Sequence, residues 1–246
     1  EMVDLGHRHE VPVYPSIEWA SWHHWAFLDL GAAEHRTFQS WVKTLYGGHP
    51  NDLDKPCYIT VWNSWSGTAA IWRGAAMNLW NAGADGIYIF NGFHSTSTDR
   101  WREIGDPEML AGKDMIFGVD RFAGDSRGEE VMQMELKQGI PLRTHFQVGT
   151  DVKSGNISEL LFRIHFWDLT DHDDVTVMFN DHRLEDLTPG SLAQTSTGGH
   201  WLEFQLDTDQ VERGENRVEL LMRKRDESMP TALTLDAVQL HVHHKK

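Results

Sequence analysis

Glu18 is the residue of this sequence best placed to do chemistry. It directly follows an apolar run, Val11-Pro12-Val13-Tyr14-Pro15-Ser16-Ile17, and Trp19, Trp22 and Trp25 come after it with His23 and His24. A carboxylate at the end of a strand can serve as nucleophile, as base, or as the counter-charge to a developing cation. Indole faces suit the apolar faces of sugar rings, because they offer large rigid area without charge. Two further apolar runs end in the same way. Asn63, Ser64 and Trp65 follow Cys57–Trp62, and Asn91, Gly92, Phe93 and His94 follow Gly86–Phe90. Three strands that end in polar or aromatic groups at one rim say more than any single residue does. Taken singly, each of these groups also reads as a loop contact, and Glu18 as an ion pair or a loop cap.

The elements that must position these groups alternate between strand and helix. Val11 to Ile17 reads as a buried strand whose Pro12 sits at its start, where a missing donor is tolerated. Glu34 to Tyr46 fits a helix with Phe38, Trp41, Val42 and Leu45 on one face. Cys57 to Trp62 is a second strand. Ala69 to Ala82 is a helix with Ile71, Ala75, Leu79 and Ala82 at helical spacing, ended by Gly83. Gly86 to Asn91 is a third strand. Asp106-Pro107-Glu108 then opens a last helix with an N-cap, a proline at its first position and an acidic first turn.

Strand–helix alternation implies parallel strands with crossover helices. In an α/β barrel, strand C-termini form the mouth where active sites lie, which is where Glu18 would sit. The alternating half spans about 120 residues against the roughly 250 of a complete eight-unit barrel. The expectation is therefore the C-terminal portion of a TIM-type (β/α)8 barrel over 1–122. The missing N-terminal barrel half would come from an upstream segment or a second chain.

Beyond the glycine-rich, charged stretch Phe122–Glu130 the hydrophobic period changes to two. Leu160, Phe162, Ile164 and Phe166 alternate with Leu161, Arg163, His165 and Trp167, and Val175, Val177 and Phe179 lead to a turn at Asn180-Asp181. Leu202, Phe204 and Leu206 alternate again, Gly214-Glu215-Asn216 reads as a turn before Val218, and a last strand runs from Thr234 to Val242. This spacing predicts an antiparallel β-sandwich or jelly roll over 123–246, so the fold class is α/β plus all-β.

A formal charge of -15 and a pI near 5.3 argue against nucleic acid, which requires a basic surface. No run approaches ~20 consecutive apolar residues, so no membrane span is expected. No signal peptide is visible, and the chain opens at Glu1, which reads as a processed or trimmed start. A secreted or periplasmic setting is favoured. The one cysteine, Cys57, sits in an apolar run and excludes an internal disulfide. Eleven tryptophans are many for this length, and nine lie at or before Trp101. Among the fifteen histidines, the clusters His7/His9, His23/His24 and His241/His243/His244 lack the spacing of a known zinc motif. His241 and His243 would share a strand face and be solvated near the chain end. No metal and no cofactor are expected.

The run Trp72-Arg73-Gly74-Ala75-Ala76-Met77-Asn78-Leu79-Trp80, then Ala82-Gly83-Ala84-Asp85-Gly86-Ile87-Tyr88-Ile89-Phe90-Asn91, resembles the end of glycoside-hydrolase-like (β/α)8 barrels. There an RGAA helix leads into a GADGIY-FN last strand. Tyr14 to Glu18 resembles the preceding strand, and Ile104 to Pro107 with Lys113-Asp114 the final helix. In that pattern one helix joins the two matched strands, whereas here Trp22 to Gly67 lies between them, so the Cys57 strand is either an insertion or a barrel strand. The second half resembles galactose-binding-like jelly-roll modules, through Val175–Asn180, Gly214–Leu220 and Leu233–Leu240. His165, Trp167, His200 and Trp201 could form a sugar platform there, or the module could only buttress the barrel.

The resemblance implies a carbohydrate partner and a glycoside hydrolase acting on a polysaccharide or oligosaccharide at the C-terminal rim. Glu18 would be catalytic, and Trp19, His23, His24, Asn63, Trp65, Arg73, Asn91 and His94 would bind substrate. Hydrolysis needs a second carboxylate, and none stands out in this chain. Arg73 could reach a substrate or form an ion pair that fixes its helix. The alternatives are a non-catalytic glycan-binding protein with a degenerate barrel, and a polysaccharide lyase with a base acting beside Arg73.

Overall fold

The alanine-rich stretch expected to be helical forms α1, Ala69–Asn81, in the computed structural model, which describes residues 16–18, 69–90, 102–120, 134–154, 156–185 and 199–245. By internal contacts the chain divides into one unit of Glu1–Ile17 with Ala69–Lys246 and another of Glu18–Thr68. The expected helix at Glu34–Tyr46 and strand at Cys57–Trp62 lie outside the described residues. Gly83, at φ 85°, ends α1. Its amide donates to the Trp80 carbonyl at 2.9 Å, and the Ala84 amide donates to Leu79 at 3.2 Å, the paired bonds of a Schellman stop.

Burial along the helix does not follow the expected stripe. Trp72, Gly74 and Ala76 are the buried positions, while Ile71, Ala75 and Leu79 are half-exposed. Trp72 and Ala76 lie on one side, and Gly74 lies on nearly the opposite side. Gly74 has no Cβ, and one placed there would run into the backbone carbonyl of Ile116. At Gly74 the helix therefore approaches another backbone more closely than any larger side chain would allow.

Ser16–Glu18 (β1) and Tyr88–Phe90 (β2) are short strands paired with each other. The last helix, α2, is four residues long, Pro107–Leu110. It starts as its sequence dictates, with Asp106 Oδ1 accepting the Glu108 amide at 2.9 Å and proline at the first position. It stops at Ala111, and only Leu110 of it is buried. Among the described residues the α/β half consists of these pieces and the helical residues 102–104, and a barrel portion is not seen.

Most of the described chain is antiparallel sheet. One sheet runs in the order β3 (Met115–Asp120), β11 (Thr234–His244), β6 (Ile157–Trp167), β9 (Gly199–Gln205), with β4 (Met134–Glu135) also on β11. The other runs β5 (Leu142–Val148), β10 (Gly214–Lys224), β7 (Asp174–Phe179), β8 (His182–Leu184). β3 lies before the junction expected near 122, yet it pairs with β11 from Met115↔Val242 to Asp120↔Ala237. Met115 and Phe117 are buried, because a strand with alternating apolar residues finds its core in the sandwich.

The period-two reading of the second half holds on one face of β6 and on β9. Leu160, Phe162, Ile164 and Phe166 are all buried, as are Leu202 and Phe204 opposite them on β9. Phe162 of the first sheet meets Phe179 of the second edge-on at 4.8 Å, and Phe146 of β5 lies 6.1 Å from Phe179. Such aromatic pairs add about 0.5–1.5 kcal/mol each beyond area burial. Asn180 and Asp181 take φ of 45° and 67°, which is the tight two-residue hairpin their sequence predicts between Phe179 and His182. The expected turn at Gly214-Glu215-Asn216 is already strand. Asn216 is fully buried and bonds Glu212, Gly214 and Asn180, so the chain turns just before it.

The edge strands β3 and β5 lie against each other, and α1 packs on both. Gly149, just after β5, repeats the device of Gly74, since a Cβ there would meet the Met77 carbonyl. Asn78 Nδ2 donates to the Gln147 carbonyl at 3.1 Å, and Arg213 Nε to Asn81 Oδ1 at 2.7 Å. Among the described residues no helix is long and apolar enough to cross a membrane.

Candidate functional site

Two of the nine residues expected at the site fall among the described residues. Glu18 is the last residue of β1, whose neighbour β2 ends one residue before Asn91. Trp19, His23, His24, Asn63, Trp65, Asn91 and His94 lie outside the described residues.

Arg73 is on α1 and is committed to the protein itself. Its Nε donates to Glu103 Oε1 at 2.9 Å and its Nη1 to the Asp114 carbonyl at 3.2 Å. Lys113 Nζ meets the same Glu103 oxygen at 2.5 Å. Burial raises the Glu103 pKa, and the hydrogen bonds from Lys113 and Arg73 outweigh it, so the carboxyl is held below its usual range. Trp80 Nε1 adds a bond to the Ile104 carbonyl at 2.9 Å. The helix is thus tied to the helical residues 102–104 and to the start of β3.

The possible sugar platform of the sandwich is rearranged by strand alternation. His165, Trp167 and Trp201 share the outer face of the first sheet, with His165 opposite Trp201 and the rings 4.8 Å apart. His200 pairs with the core residue Phe166, so it belongs to the other face. His165 is 2% exposed and cannot touch a ligand, and its Nδ1 lies 2.9 Å from Oδ2 of the equally buried Asp236. Arg163 holds its guanidinium 4.4 Å over the Trp201 ring and its Nε 2.6 Å from Glu203. The indole face is therefore engaged by the protein's own cation, worth about 0.5–1 kcal/mol at such a site.

The sequence reading missed Asp236 as a partner. The pair spans 71 positions, and a register irregularity between Leu235 and Ala237 on β11 carries Asp236. The only local signal was one carboxylate inside the apolar run Leu235-Asp236-Ala237-Val238.

His241 and His243 do share a face, with rings 6.2 Å apart, but His241 is not solvated. Burial, then Arg163 and His243, push its pKa down to about 3, and Nε2 lies 2.9 Å from Gln239 Oε1. His243 Nδ1 is 3.3 Å from Asp114, and the His244 amide donates to Asp114 at 2.9 Å. That amide bond is the largest cause of the lowered Asp114 pKa. No group of three or more His, Cys, Asp or Glu among the described residues is arranged to hold a metal ion.

No family model and no curated protein matches this sequence. Solved structures share part of it. A β-porphyranase of glycoside hydrolase family 86 from the human gut bacterium Bacteroides plebeius is 12% identical, over 54% of this chain and 21% of that one, at a TM-score of 0.35. A family 86 enzyme in complex with neoagarooctaose is 11% identical, over 54% and 19%, at 0.37. A family 35 carbohydrate binding module from an environmental isolate is 14% identical, over 44% and 69%, at 0.28. This chain spans about a fifth of the length of the two enzymes.

Proposed function

We propose that the chain carries the C-terminal portion of a glycoside hydrolase barrel, braced by a β-sandwich, and that Glu18 supplies one catalytic carboxylate for cleavage of a polysaccharide or oligosaccharide. The observation that supports this reading is the pairing of β1 with β2. The two strands that the barrel resemblance makes neighbours are neighbours, and Glu18 ends the first of them. Trp19, His23, His24, Asn63, Trp65, Asn91 and His94 would line the site. The second carboxylate comes from barrel strands outside this sequence.

Arg73 drops out of the substrate-binding set in this reading, because Glu103 and the Asp114 carbonyl hold it and its side chain is only 21% exposed, unlike a guanidinium paired on an open surface. The lyase alternative loses its residue for the same reason. The sandwich acts as a buttress through Gly74, Gly149 and Asn78, and the helix it holds leads directly into β2.

The test compares the intact protein with its Glu18→Gln variant on a polysaccharide panel, with binding measured by calorimetry. Gln keeps size and hydrogen-bonding reach but loses the charge or nucleophile that an oxocarbenium-like transition state requires. Turnover should fall by about a thousandfold, roughly 4 kcal/mol, with binding retained. Equal turnover would remove Glu18 from the mechanism. Binding without turnover by the parent would establish the non-catalytic glycan-binding alternative.

A further inference from the structure

We propose that the outer face of the second sheet carries a separate binding site for a short stretch of neutral glycan, in the groove between β5, β10 and the β7–β8 turn. The inference rests on the carbohydrate reading above and assigns it a second contact, remote in sequence from Glu18. The groove has a volume of about 230 Å³, with Arg143 and His145 on one side, Glu215, Arg217 and Glu219 along β10, and Met178 and Asp181 on the other. That is below the ~300–1,000 Å³ of pockets for drug-sized ligands, which suits one sugar residue at a time.

The charges select the ligand class. Two guanidinium groups face three carboxylates, and each guanidinium is already paired: Arg143 with Glu219 at 2.6 Å and Arg217 with Asp181 at 3.2 Å. No unpaired arginine remains to hold a phosphate, sulfate or uronate, and the excess of carboxylates repels anions. A paired guanidinium still has spare N–H donors and a paired carboxylate spare lone pairs. Both are oriented by their partner, which is what adjacent hydroxyls need.

The strand register sets these groups in rows. Arg143, Glu219 and Met178 lie side by side across three strands, and His145 with Arg217 forms a row two residues away, about 7 Å along the strand. Met178 supplies an adaptable apolar contact for the C–H face of a ring. On the first sheet, by contrast, the Trp201 ring is engaged by Arg163.

The experiment titrates the full chain with neutral hexasaccharides of glucose, mannose and galactose, and with a uronic acid hexasaccharide as control, by NMR and calorimetry. A neutral hexasaccharide should shift the ring-proton resonances of His145, and Arg217→Met and His145→Ala should each weaken its binding about tenfold, as loss of one or two hydrogen bonds would. The uronic acid chain should move none of these signals. If a neutral chain binds while His145 stays still and both variants bind like the parent, the groove assignment is wrong and the carbohydrate reading stands. If no neutral chain binds the parent, both fall. If only the uronic acid chain shifts His145, the charge argument is overturned.

Discussion

Gly74 of α1 and Ile116 of β3 meet backbone to backbone, with no room between them for a single methyl group. This contact joins the helix of the α/β half to an edge strand of the sandwich.

Gly74→Ala tests that contact. Alanine is intrinsically the better helix former by about 1 kcal/mol, so a free helix would gain from the change. Here the obstacle is a main-chain carbonyl that no rotamer change can move, and overpacking costs about 1–3 kcal/mol. Chemical unfolding should show net destabilisation. A more stable variant would mean that α1 does not sit on β3 as described.

Arg73→Met separates an anchoring role from a substrate-binding one. The variant leaves Glu103, whose side chain is 10% exposed, with Lys113 alone and frees the Asp114 carbonyl. Loss of a charged hydrogen bond to a part-buried group costs about 1.5–3 kcal/mol. The unfolding free energy from a denaturant series should fall by that amount, with a lower midpoint at unchanged slope. An unchanged midpoint with weakened glycan affinity would return Arg73 to the substrate site.

His165 and Asp236 form a pair that is costly to break and cheap to replace. His165→Leu takes a hydrogen-bond partner from a carboxylate that is 1% exposed, and losing such a buried bond costs about 1–3 kcal/mol. Changing Asp236→Leu as well should recover part of the loss, since replacing both partners of a buried hydrogen bond by apolar groups is nearly neutral. If the double variant is no more stable than the single one, the two residues are not energetically coupled.

His241 makes stability depend on pH in the acid range. Its folded pKa of about 3 lies below the ordinary value of 6.5, so the unfolded chain takes up the proton first. The stabilisation is complete above pH 6.5 and is lost progressively as pH falls from there toward 3. Arg163 and His243, both nearby cations or potential cations, push in the same direction. His241→Gln should flatten the decline of the melting temperature between about pH 6.5 and 4, the upper part of that window. An identical slope in both proteins would place the acid sensitivity of that range in another group.

The local features were legible in the sequence wherever one residue or one period decides the outcome. Asp106 and Pro107 start α2, Gly83 stops α1, Asn180-Asp181 turns the hairpin, and the alternation from Leu160 to Phe166 sorts core from surface. Each follows from backbone sterics or side-chain direction within a few positions.

Tertiary structure decided what depends on partners distant in the chain. Only packing shows that α1 buries Gly74 against β3, that β3 belongs to the sandwich, and that Arg73 answers Glu103 thirty positions away. His165 with Asp236, and Arg163 over Trp201, depend on strand order and on a register irregularity in β11. A period of two says which side chains share a face. It does not say which strand lies beside it, because that is set by the total apolar area buried when the two sheets and α1 close on one core.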